Sequence, residues 1–178
     1  MTRKEERPLI LGLYPSASGI GWAAFANPFT VHHHGVYRGS RKNKSASCLR
    51  KVAWLLDRLN PEILVLEAFE PESSGRSKRI ANLLRDIATL AAERDLEFHL
   101  YRKDEVQDAF RVVEARTRDE IAEAVTRHVP ALAPYLPSKR KAWQGEDRAL
   151  SRLSAAALVL THYHFEAHQF FKDLRKAA

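Results

Sequence analysis

Three groups of positive charge supply the most distinctive chemistry in this chain. Arg38, Arg41, Lys42, Lys44, Arg50 and Lys51 crowd into residues 38–51 with no acid among them. Gly39, Ser40, Asn43 and Ser45 make that stretch loop-like ahead of a first helix. Arg76, Lys78 and Arg79 follow Ser73-Ser74-Gly75, and Lys139, Arg140 and Lys141 precede Trp143. Cations at this density suit phosphate, because each contact to a polyanion releases condensed counterions and makes binding salt-sensitive. The hydroxyls of Ser73, Ser74 and Ser77 add phosphate hydrogen bonds, and the Trp143 indole offers a stacking face to a base. One such cluster alone is an ordinary solvated surface. Three together favour a nucleic-acid partner.

Other candidate chemistries are weaker. His32-His33-His34 falls inside a predicted strand, where alternation sends His33 to the face opposite its neighbours and separates the three as metal ligands. His164 and His168 have the i, i+4 spacing of a zinc pair but no evident third ligand. Cys48 sits on an apolar helix face with no base near it in sequence, which reads as core packing rather than a nucleophile. Trp22 and Trp54 are read as core in the same way. No Gly-rich phosphate loop is present, so nucleotide hydrolysis by that route has no support.

These residues must be carried by a chain of 178, 45% hydrophobic, which suits one compact domain. Its single cysteine excludes an internal disulfide. Lys plus Arg exceed Asp plus Glu by 29 to 22, a net +7 that points to nucleic acid first and a membrane surface second. No apolar run approaches the ~20 residues of a membrane span, and the charged segment 1–7 does not resemble a secretion signal. A cytoplasmic protein without a membrane partner is the expectation, with 1–7 as an N-terminal extension, 8–170 as the domain and 171–178 as a tail.

The first half predicts strands at Leu9–Leu13, Gly19–Phe25 and Thr30–Tyr37, linked by turns at Tyr14-Pro15-Ser16 and Asn27-Pro28 as an antiparallel meander. The period then becomes helical at Cys48, Val52, Leu55, Leu56 and Leu59, and Asn60-Pro61 stops that helix. Ile63–Leu66 is a continuous apolar run, as in a strand buried on both faces. A second helical stripe runs through Ile80, Leu83, Leu84, Ile87, Leu90 and Ala91, and Glu97–Tyr101 is a fifth strand. Thr117 and Glu120 form a capping box that opens a helix to about His128. Pro130, Pro134 and Pro137 keep the next segment irregular, and a long helix starts near Glu146. The order β-β-β-α-β-α-β-α-α predicts an α/β fold, a five-stranded mixed sheet with helices on both faces.

Three segments narrow this order. Ile10-Leu11-Gly12-Leu13-Tyr14-Pro15-Ser16 leads to Gly19-Ile20-Gly21-Trp22-Ala23; Pro61-Glu62-Ile63-Leu64-Val65-Leu66-Glu67 ends a strand in a carboxylate; and Ala155–His162 lies on the last helix. Together these resemble the RuvC Holliday-junction resolvase family of the ribonuclease-H-like superfamily, over roughly residues 8 to 165. The block Leu136–Asp147 looks more like a subgroup of uncharacterised bacterial RuvC-like proteins. The resemblance implies a nuclease in which carboxylates from the first strand, the fourth strand and the last helix hold two divalent ions, Mg²⁺ or Mn²⁺. It also implies DNA ahead of RNA as partner, a homodimer, and a site entrance flanked by the second and third basic clusters.

Set against that pattern, the first-strand carboxylate falls at Tyr14, a phenol that stays neutral near pH 7 and is a poor magnesium ligand. The fourth-strand carboxylate is present as Glu67. The helix carboxylates fall near Ser151 and Ser154, both hydroxyls, while Asp147 lies one turn upstream on the same helix face. Glu146 points about 100° away, and Glu70 and Glu72 are the nearby loop acids. Glu67 and Asp147 are thus the candidate metal ligands and catalytic residues, although Glu67 also suits pairing with an arginine and Asp147 an N-cap. Two carboxylates organise one ion weakly rather than two. The expectation is a nucleic-acid-binding protein on a RuvC-like frame with impaired catalysis. An active Mg²⁺- or Mn²⁺-dependent endonuclease on branched DNA is the second reading. A protein-interaction module using Phe165, Phe170, Phe171 and the tail is the third.

Overall fold

The computed structural model describes residues 8–68, 77–138 and 148–177. Arg76, Lys139, Arg140, Lys141, Trp143 and Asp147 lie outside the described residues, as do Glu70, Glu72, Ser73, Ser74 and Glu146. Strands β1 (Ile10–Pro15), β2 (Gly19–Asn27) and β3 (Thr30–Arg38) form the meander. Helix α1 (Lys44–Leu59) leads to β4 (Ile63–Glu67), and α2 (Lys78–Glu93) leads to β5 (Glu97–Tyr101). Then come α3 (Lys103–Phe110), α4 (Arg118–His128) and α5 (Arg148–Ala177), with 3₁₀ turns at Arg111–Val113 and Pro130–Tyr135. The sheet order is β3-β2-β1-β4-β5, antiparallel through β3, β2 and β1 and parallel through β1, β4 and β5. This is the mixed sheet that the sequence predicts.

Alternation along β1 divides the core. Leu11 and Leu13 join Leu64, Leu66, Leu55 and Leu83 under α1 and α2, while Ile10 and Tyr14 join Val65, Leu153 and Val159 under α5. Cys48 and Trp22 are buried as expected. Asn60 ends α1 in the left-handed region at φ 46°, its N–H bonded to the Leu56 carbonyl, which an asparagine tolerates better than most residues.

Three expectations need correction. Trp54 is 47% exposed, not core: it follows Val52 by two residues, about 200° around the helix, on the solvent side. Lys51 covers one face of that indole, its Nζ 3.8 Å from the ring centroid. Helix α1 starts at Lys44, inside the stretch read as loop. Helix α3 is absent from the sequence reading because Val106, Ala109 and Phe110 are too few to register as a stripe. It is held at its start by Glu105, whose carboxylate accepts from the Arg102 N–H at 2.7 Å. Helix α5 itself continues without a break as far as Ala177.

Two glycines set how α5 lies on the sheet. A Cβ on Gly12 would stand 2.3 Å from the Ala155 carbonyl oxygen, and one on Gly21 would stand 2.3 Å from the Ser151 carbonyl carbon. The helix backbone therefore rests on the sheet, a close approach that only glycine permits. Further along, His162 of α5 is buried against β5. Its Nδ1 lies 2.9 Å from the Tyr101 hydroxyl, and its ring is 4.5 Å from that of His99. Burial pushes Tyr101 up to about 12, so the phenol keeps its proton beside the imidazole. Burial first, then His99, hold His162 below its ordinary value, against the opposing pull of Glu166 and Glu97. Its neutral form is thus the one the fold favours. Below a pH of about 6.5 the unfolded chain binds the extra proton, so stability falls as pH drops through that region. Thermal melts at pH 7.5 and 5.5 are expected to show a lower Tm in acid, and His162→Gln to shrink the difference.

Candidate functional site

The parallel register pairs Leu13 with Leu66, so the next residues, Tyr14 and Glu67, emerge side by side at the strand ends, on the α5 face of the sheet. Both line a cavity of about 450 Å³, together with Ser154 of α5. Three of the positions singled out from the sequence are therefore brought together. Ser151 is not: it is fully buried where α5 meets Gly21. Asp147 lies outside the described residues. Glu67, the last residue of β4, is 7% exposed.

The remaining charged residues of the described lining are cations. Lys103, Arg116 and Arg118 line the same cavity, and among its described lining residues Glu67 is the one carboxylate. The Arg118 guanidinium lies 4.7 Å from the centroid of the Tyr14 ring, and its Nε donates to Ser154 Oγ at 3.0 Å. A cation is thus stacked on the phenol and bonded to the hydroxyl at two of the positions where the resemblance implied acids. The floor is apolar: Ile121, Leu153 and Leu158 are all under 10% exposed.

Local capping fixes the two arginines. Thr117 Oγ1 accepts from the Glu120 N–H at 3.2 Å, while the Glu120 carboxylate accepts from the N–H groups of Thr117 and Arg116 at 2.9 and 2.8 Å. Those backbone donors hold the Glu120 carboxyl below its ordinary range. Gln107 of α3 adds a bond to the Arg116 carbonyl at 3.0 Å. The capping box legible in the sequence is therefore the device that presents Arg116 and Arg118. Sequence reasoning missed both, and Lys103. The available signal was the pair of arginines bracketing an N-cap threonine.

Two of the basic clusters meet at the turn that follows Tyr14. Lys44 Nζ donates to the Ala17 carbonyl at 2.9 Å, and Arg79 donates from Nη2 to the Ser16 carbonyl at 3.1 Å. Arg41, Lys42 and Lys78 are exposed beside the starts of α1 and α2. Ser77 Oγ accepts from the Ile80 N–H at 3.4 Å, capping α2. Among the described residues, no helix is long and apolar enough to cross a membrane.

Solved structures share this fold. Thermus thermophilus RuvC in complex with a Holliday junction substrate matches with a TM-score of 0.65 at 18% identity, covering 90% of this chain and 96% of that one. A second Thermus thermophilus RuvC structure gives 0.66 at 17% identity, with the same coverage. The yeast mitochondrial Holliday junction resolvase Ydc2 gives 0.58 at 13% identity, covering 93% of this chain and 83% of that one. No family model and no curated protein sequence matches the chain. The chain has the ribonuclease-H-like fold seen in RuvC resolvases.

Proposed function

We propose that this chain is a cytoplasmic nucleic-acid-binding protein, directed to DNA ahead of RNA, on a resolvase-type frame that no longer organises a two-metal nuclease centre. The Arg118 guanidinium seated between Tyr14 and Ser154 carries this reading. A pair of Mg²⁺ or Mn²⁺ ions needs several converging carboxylates. The described cavity offers Glu67 alone, facing Lys103, Arg116 and Arg118. Positive charges lining the same cavity raise the cost of placing a divalent cation there, so the described donor set does not fit the metal pair. The same charges suit a polyanion. Lys44 and Arg79 extend the positive face around the β1–β2 turn, and one structural neighbour is bound to Holliday junction DNA.

The test is a cleavage assay on branched and single-stranded DNA in Mg²⁺ and in Mn²⁺, run beside a binding titration. Binding without divalent-dependent cleavage is the expected result. Cleavage that disappears in Glu67→Gln overturns the impaired-site reading and restores Glu67 as a catalytic ligand.

A further inference from the structure

We propose that the cavity between β4, α3, α4 and α5 holds the phosphate-bearing terminal nucleotide of a nucleic-acid strand, with its phosphate against Lys103, Arg116 and Arg118. This deepens the nucleic-acid reading and rests on it for the identity of the polymer. Three cations and one carboxylate line the described wall, so the cavity attracts an anion. Guanidinium forks match the oxygens of a phosphate, and Arg118 is half-buried, where such a bond is less screened than at the surface. The Ser154 bond to Nε fixes the plane of that fork. Arg116 and Lys103 are exposed at the rim, on the paired ends of α4 and α3 that Gln107 ties together.

Size and polarity specify the rest of the ligand. About 450 Å³ falls in the ordinary range for a small-molecule site and accommodates one nucleotide, whereas a duplex is too broad to enter it. Val106, Ile121, Leu153 and Leu158 give the floor an apolar surface for a base. Glu67, the one carboxylate among the described lining residues, is 7% exposed in the same cavity and is the acceptor type that suits a base N–H. A strand end meets all of these conditions: it is a single nucleotide, it carries a base, and its monoester phosphate has more charge than a diester.

The test compares short single strands carrying a 5′-phosphate, a 3′-phosphate or hydroxyls at both ends, by fluorescence anisotropy at low salt, with free thymidine monophosphates as a fourth arm. One phosphorylated end is expected to bind about tenfold tighter than the hydroxyl strand, the scale of one charge-assisted contact. Lys103→Ala with Arg116→Ala removes two exposed side chains and is expected to erase that preference; Arg118→Lys, which keeps the charge and loses the fork, is expected to reduce it. Equal binding of all strands overturns this inference and leaves the nucleic-acid reading standing. Binding of a free nucleotide alone, lost in the double variant, overturns this inference together with the nucleic-acid reading. No binding of either overturns both.

Discussion

Raising monovalent salt from about 50 to 200 mM weakens DNA binding by this chain by roughly 500-fold, on a slope of about −0.9 per phosphate neutralised and about five contacts. The number of contacts follows from the described cations. Lys103, Arg116 and Arg118 line the cavity, Lys44 and Arg79 bond to the turn just beyond Tyr14, and Arg41, Lys42 and Lys78 are exposed beside the starts of α1 and α2. Lys44 and Arg79 each have a hydrogen bond to a backbone carbonyl, which orders them and leaves their charge in place. Not every cation in such a set meets a phosphate, so about five of eight is a moderate expectation. The measurement is a titration of one DNA at several salt concentrations, plotted as log affinity against log salt. A flat plot contradicts an interface built on these residues. Arg41→Ala and Lys42→Ala together are expected to make the plot shallower by about two contacts, or a slope change near 1.8.

The second large effect concerns the seating of α5. Gly12→Val places carbon where the Ala155 carbonyl already lies and is expected to destabilise the fold by about 3 kcal/mol, the upper part of the usual range for overpacking. In a chain of this length that corresponds to a fall in Tm of roughly 6 to 12 °C. Valine favours strands more than glycine does, so the local preference of β1 opposes the expected result. Unchanged stability would mean that α5 does not rest on the sheet at this point. Binding is a second readout. Ser154 lies one residue from Ala155, so lifting α5 pulls the hydroxyl away from Arg118, and preference for a phosphorylated end is expected to decline along with stability.

Much of the frame was legible because it is written in short periods. Residues 10 to 14 alternate between two cores, the stripe from Ile80 to Ala91 repeats at helical spacing, and Thr117 with Glu120 marks a helix start that the structure places at Arg118. The convergence of Tyr14, Glu67 and Ser154 was legible through resemblance alone, since those residues are far apart in sequence and meet only through the β1–β4 register and the glycine seats under α5. The cationic wall was not legible. Arg116 and Arg118 look like ordinary surface residues beside a cap, and nothing local shows that α4 leans over the end of β1. Trp54 failed for a different reason: its residue type suggested burial, whereas its angle on α1 already placed it in solvent.

The length of α5 bears on how the unfolding of this protein should be followed. From Glu166 to Ala177 every residue of that helix is exposed, including Phe170, Phe171 and Leu174, so its outer part is tied to the remainder by its own backbone ladder and little else. Such a segment unravels at a free energy well below that of the whole molecule. Far-ultraviolet circular dichroism sums over that segment, while in a Trp54→Phe, Trp143→Phe background the fluorescence of Trp22, buried with Cys48 and Val52 of α1, reports the interior. Ellipticity therefore declines before emission shifts, and the gap between the two curves measures fraying of one helix end rather than a populated folding intermediate.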